Sequence, residues 1–183
     1  MTILPITLYG DEILEKKTKQ ITKVDDKIIR LVKDMIDTMH NANGMGLAAN
    51  QVGSNKALFV TDLGGVKGYE DESPRVFLNP KIVEQSEETS VIEEGCLSIP
   101  SLRGEVERPK GIKLIYQDLE LKEHELYDED LLARVIQHEY DHLNGKYFVE
   151  RIEKDEFKKL KKSLKKIQDR KMDVDYPVTQ KPK

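Results

Sequence analysis

Five residues, His138-Glu139-Tyr140-Asp141-His142, constrain this chain more than any other stretch. Imidazoles four positions apart share one face on a helix, where both can converge on a single divalent ion with Glu139 beside them. The surroundings agree with a helix from about Asp128 to Leu143, ended by Asn144-Gly145, a suitable left-handed C-terminal pair. Two histidines leave a tetrahedral site short of a protein ligand, so the fold must bring a third from elsewhere.

Downstream sources fail. A third histidine six residues after His142 would fit one protease pattern, but that position is Phe148. A glutamate some way along the next helix would fit another, but the last glutamate, Glu156, comes only fourteen residues after His142 and the helix beyond it is mostly basic. Upstream, Glu94-Gly95-Cys96-Leu97-Ser98 holds the only cysteine. A lone cysteine is ordinarily a small buried hydrophobe. As a thiolate, Cys96 would complete a Cys/His/His set with one position left open. His40 and His124 have no such company and read as ordinary histidines.

The rest of the chain predicts an α+β fold. Ile28, Ile29, Val32, Met35, Ile36 and Met39 recur at helical spacing over Asp25 to about Asn43, an N-terminal amphipathic helix. Segments 56–62, 74–84, 89–95 and 111–120 read as strands, and 64–74 as a polar loop. A C-terminal helix from about Lys154 to Lys171 carries the apolar stripe Phe157, Leu160, Leu164 and Ile167. Strands and helices segregate instead of alternating, which favours antiparallel or mixed sheets packed around the central HExxH helix over a doubly wound sheet. One domain over 1–171 is expected, with 172–183 as a flexible tail. No apolar run is long enough to span a bilayer and no secretory signal is evident, so a cytoplasmic location is expected. The net charge of −4 conceals a basic end, with 11 Lys/Arg against 5 Asp/Glu over residues 154–183. That end reads as a solvated helix face or as a contact for an anionic partner such as RNA.

Gly44-Met45-Gly46-Leu47-Ala48-Ala49 fits the letters of a dinucleotide fingerprint but follows a helix where that fingerprint follows a strand, and no βαβ unit closes after it. Taken together, GMGLAANQ (44–51), EGCLS (94–98) and QHEYDH (137–142) resemble the three signature motifs of the peptide deformylases, over roughly residues 1–150.

The resemblance implies a metal-dependent hydrolase that removes formate from the N-terminal formyl-methionine of nascent chains. It implies Cys96, His138 and His142 as metal ligands and Glu139 as general base. The Gln51 amide and the Leu97 N–H would stabilise the oxyanion, Gly46 would pair with the substrate backbone, and Met45, Ile92, Leu131 and Val135 would form the methionine pocket. Arg108 is expected to brace Glu94; Arg134 is expected to pack its stem and send its guanidinium to solvent or a substrate carbonyl, and Arg103 is a further candidate. One divalent ion is expected, Fe(II) physiologically, with Zn(II), Ni(II) or Co(II) also compatible with the donors. The C-terminal helix would contact the ribosome near the exit tunnel; neither a membrane nor specific DNA is expected as a partner. An HExxH endopeptidase, a hydrolase with Cys96 as nucleophile and a non-catalytic metal-stabilised module are the competing readings.

Overall fold

The computed structural model of the chain describes residues 2–181. In chain order its elements are α1 (Asp26–Asn41), β1 (Gly46–Ala48), β2 (Leu58–Thr61), β3 (Arg75–Gln85), β4 (Thr89–Cys96), β5 (Ile99–Pro109), β6 (Ile112–Gln117), β7 (Glu123–Asp128), α2 (Leu131–Leu143) and α3 (Lys154–Gln168). Short 3-10 turns occupy Glu12–Glu15, Ala49–Val52 and Phe148–Glu150. The expected α+β class holds: one antiparallel sheet runs in the order β1-β2-β3-β6-β7, and β4 with β5 forms a separate hairpin.

The sheet is covered on both faces, which explains why every residue of β2 is buried. Alternate side chains of a strand point to opposite faces. Leu58 and Val60 join Leu47 and Leu78 under α1, packing on Val32, Met35 and Met39. Phe59 joins Phe77, Ile112 and Leu114 on the other face, under Leu132, Ala133, Val135 and Ile136 of α2. Full burial of each phenylalanine contributes roughly 1.5–3 kcal/mol to folding, shared between the sheet and α2. A third apolar cluster joins β5 (Ile99, Val106), Phe148, Val149 and α3 (Leu164, Ile167) to the N-terminal Leu8 and Leu14.

The helices end for identifiable reasons. Asp25 caps α1 by accepting the Lys27 and Ile28 N–H groups at 3.1 Å. α2 begins at Leu131 instead of near Asp128, because residues 123–128 pair with β6 as β7 and the Asp128 carboxylate accepts the Ala133 N–H at 2.9 Å. At its other end, Lys146 N–H reaches Asp141 O and Gly145 N–H reaches His142 O, a Schellman closure with Gly145 at φ 73°. α3 stops at Gln168, short of Lys171, where Arg170 turns to a positive φ of 57°.

Residues 176–179 lie against the N-terminal segment, a placement that composition does not predict. Ile6 N–H donates to Pro177 O and Thr179 N–H to Ile6 O, both at 2.9 Å. Arg170 and the Thr179 hydroxyl both donate to the Asp11 carboxylate. Pro182 and Lys183 of the expected tail lie outside the described residues. No helix among the described residues is long and apolar enough to cross a membrane.

Candidate metal centre and active site

α2 places His138 and His142 one turn apart, with ring centroids 5.0 Å from each other. Cys96 ends β4 at a register shift, where the pairing passes from Gly95–Arg103 to Cys96–Ile99 and residues 100–102 of β5 are left over. The donor atoms of Cys96, His138 and His142 all lie within 4.8 Å of one another, and the Sγ of Cys96 is 3.1 Å from the Nε2 of His142. The expected third ligand is therefore where a metal would need it. Burial raises the Cys96 thiol, but the His142 and His138 imidazoles outweigh it and bring the group down to about 5. A thiolate is the ligating form.

The donor set fits a divalent ion in its outer contacts too. His138 Nδ1 is 2.9 Å from Glu94 Oε2, and since an ionised carboxylate can only accept, His138 donates there and keeps its Nε2 lone pair for the site. Glu94 is itself held: Arg108 Nε donates to Oε1 at 2.7 Å, Arg108 Nη2 to Oε2 at 2.9 Å and Arg134 Nη1 to Oε1 at 3.0 Å. Burial acts to raise the Glu94 carboxyl, yet Arg108 and His138 hold it well below the usual carboxylate range. The chain continues from Arg108 Nη1 to Asp141 Oδ2 at 2.7 Å and from Arg151 Nε to the same oxygen at 2.6 Å.

The expected Arg108–Glu94 brace is thus present, while Arg134 departs from expectation. Its guanidinium points inward, to Glu94, Val106 O, Ser90 O and Ser90 Oγ, and the residue is only 5% exposed. One buried carboxylate, two carbonyls and a hydroxyl satisfy it, so it tethers the β4–β5 hairpin to α2. Arg103 remains outside, 3.9 Å from Glu93 at the cleft mouth.

Glu139 is buried, and its Oε2 has no protein partner among the described residues. Burial pushes its carboxyl up to about 7, against the opposing influence of His138 and His142. Its Oε1 explains Gly46, where a Cβ would lie 2.5 Å from that oxygen. At Gly44 a Cβ would come 2.8 Å from Cδ1 of Leu97. The first clearance these glycines provide is for the chain's own Glu139 and Leu97 side chains.

Gln51 is oriented by its own bonds. Its Oε1 accepts the Ala48 N–H at 2.9 Å, which turns Nε2 toward Ser98 Oγ at 3.1 Å and Cys96 Sγ at 3.5 Å. Leu97 follows directly, and its N–H meets no acceptor among the described residues. A cleft of about 560 Å³ opens over these groups and is lined by Met45, Gly46, Gln51, Ile92, Cys96, Leu97, Leu131, Val135, His138 and Glu139. His142 lies beneath them, 1% exposed. Sequence reasoning missed Ser98, Asp141 and Arg151 as braces and Tyr176 as part of the cleft wall. The first two sit inside the quoted motifs; nothing in the sequence marks the last two.

Comparison with known proteins gives one answer. A family model described as polypeptide deformylase matches residues 3–158. A peptide deformylase of Chlorobaculum parvum is 44% identical over 176 residues, covering 96% of this chain and 94% of that protein. One from Synechocystis is 48% identical over 151 residues, covering 81% of this chain and 80% of its own. Among solved structures, a plant peptide deformylase superposes with a TM-score of 0.85 at 35% identity, covering 91% of this chain and 90% of that one. The Thermotoga maritima peptide deformylase gives 0.78 at 41% identity, over 84% and 99%. The matched residues include the whole Cys/His/His cluster and its glutamate, and the chain belongs to the polypeptide deformylase family.

Proposed function

We propose that this chain hydrolyses the formamide of N-terminal formyl-methionine on newly made polypeptides, releasing formate, at the cleft over Cys96, His138 and His142. The observation that carries the reading is the buried Glu139 carboxylate, whose Oε2 has no partner among the described residues, held beside a three-donor cluster on the floor of that cleft. A structural metal site has no use for such a group, and burying one without a partner is costly.

The three donors would hold one divalent ion, which when bound polarises a carbonyl and acidifies water. Fe(II) is the physiological ion we assign, and the thiolate with two imidazoles also suits Zn(II), Ni(II) and Co(II). Glu139 takes the proton from the attacking water and delivers it to the departing amine. A carboxyl near neutrality serves both transfers. Gln51 Nε2 and the Leu97 N–H face the oxygen on which charge develops, and removing one such donor typically costs about 100- to 1,000-fold in rate. β1 is an edge of its sheet, so the backbone at Gly46 is free to pair with an extended substrate. Met45, Ile92, Leu131 and Val135 supply the apolar side of the cleft for the methionine side chain.

Formyl-Met-Ala-Ser should release formate with the metal-loaded protein, and acetyl-Met-Ala-Ser should release no acetate, since the larger acyl group crowds the space beside Glu139. Absence of formate from folded, metal-loaded protein would refute the assignment.

We assign the site of action to the cytoplasm, at the ribosome. α3 buries Leu164 and Ile167 against the body and leaves Lys161, Lys162, Lys165 and Lys166 exposed. Replacing these four lysines by glutamine is expected to weaken co-sedimentation with ribosomes and reduce its salt dependence, with turnover of a short formyl peptide unchanged. Co-sedimentation at the wild-type level would end this part of the account.

A further inference from the structure

One wall of the cleft comes from outside every motif. The segment after α3 places Tyr176 there, and its hydroxyl donates to the Leu97 carbonyl at 2.7 Å. Leu97 and Ser98 form the two-residue turn between β4 and β5, closed by the pairing of Cys96 with Ile99. A metal-ligand candidate thus begins the turn, and the free Leu97 N–H is its first peptide donor.

Three bonds from other parts of the chain fix this turn. Gln51 Nε2 donates to Ser98 Oγ at 3.1 Å, Tyr9 N–H to Ser98 O at 2.9 Å, and Tyr176 to Leu97 O. Two of them act on Ser98. Only Tyr176 holds the Leu97 carbonyl among the described residues. Peptide planes are rigid, and the planes before and after Leu97 are joined only through its φ and ψ. With both ends of the turn pinned by strand pairing, one plane rotates only if the other counter-rotates. Anchoring the Leu97 carbonyl therefore restrains the plane that carries the Leu97 N–H.

Tyr176 is itself secured within one residue. Pro177 O accepts the Ile6 N–H, Val178 bridges Ile6, and Thr179 is tied to Asp11 and Arg170. The segment therefore reaches the cleft as a fixed strap.

We infer that Tyr176 is a positioning residue for the oxyanion donor on Leu97, so that the C-terminal segment completes the active site. This rests on the reading of the Leu97 N–H and Gln51 as the oxyanion donors. The test compares Tyr176→Phe with Gln51→Ala, both metal-loaded, on formyl-Met-Ala-Ser at a temperature well below unfolding. Tyr176→Phe keeps the ring and removes one hydrogen bond, so kcat should fall roughly 3- to 10-fold while KM and metal content stay at wild-type values. A merely structural bond would lower Tm and leave kcat alone. Wild-type kcat in Tyr176→Phe, or a change confined to KM, overturns the inference. If Gln51→Ala then loses about 100-fold or more, the oxyanion reading stands without Tyr176; if it too keeps wild-type kcat, that reading falls with the inference.

Discussion

Glu139→Ala is expected to lower formate release by about 1,000-fold or more while the protein stays folded and metal-loaded. General acid–base transfer contributes about 100- to 10,000-fold, and in the proposed reaction one carboxylate would both accept and return the proton. The ligands should not notice the change, because Cys96, His138 and His142 are positioned by the end of the β4–β5 hairpin, by α2 and by Glu94, none of which depends on Glu139. Stability should hold or rise. Burial already pushes the Glu139 carboxyl up to about 7, so its charged form is disfavoured by the fold, and Oε2 has no partner among the described residues. An enzyme that loses metal along with activity in Glu139→Ala would mean that the carboxylate is a ligand instead of a proton carrier.

Glu94→Gln should produce the other large effect, on stability. Arg108, Arg134 and His138 all donate to this one buried carboxylate. Neutralising it leaves two buried guanidiniums with Asp141 as the remaining buried carboxylate in the chain of contacts. Breaking a buried pair on one side costs about 3–5 kcal/mol. For a domain of this size that corresponds to a Tm lowered on the order of 10 °C in thermal denaturation. Loss of the acceptor on His138 should also weaken metal affinity about 10- to 100-fold, measured by competition with a chelator. An unchanged Tm would show that the network contributes no net stability and serves only to orient His138.

The part of the site that was legible in the sequence is the part where chemistry dictates residue type. HEYDH needs a helix to bring its histidines together, and a soft third donor had only Cys96 available. Gln51 and Leu97 came from the motif resemblance, and the structure turns both toward Cys96 or the cleft. Arg134 misled because a long charged side chain ordinarily carries its head to water, whereas here Glu94 and two hairpin carbonyls draw it inward. β5 and β7 were missed for a related reason. β5 carries prolines and charges along its length because its hairpin is half exposed, and β7 is a sheet edge whose Glu123 and Glu125 face solvent. The strap of residues 176–179 was illegible because its contacts are backbone bonds to Ile6 and a carboxylate shared at Asp11, which leave no periodic pattern.

Deformylation by this chain should require one metal, held by Cys96, His138 and His142. The most direct measurement strips the protein with chelator under anaerobic conditions, returns Fe(II) or Ni(II) in steps, and follows formate release from formyl-Met-Ala-Ser. Activity should be near zero in the stripped protein and rise linearly to a break at one equivalent per chain. Full activity after stripping, as a hydrolase with Cys96 as nucleophile would show, contradicts the claim.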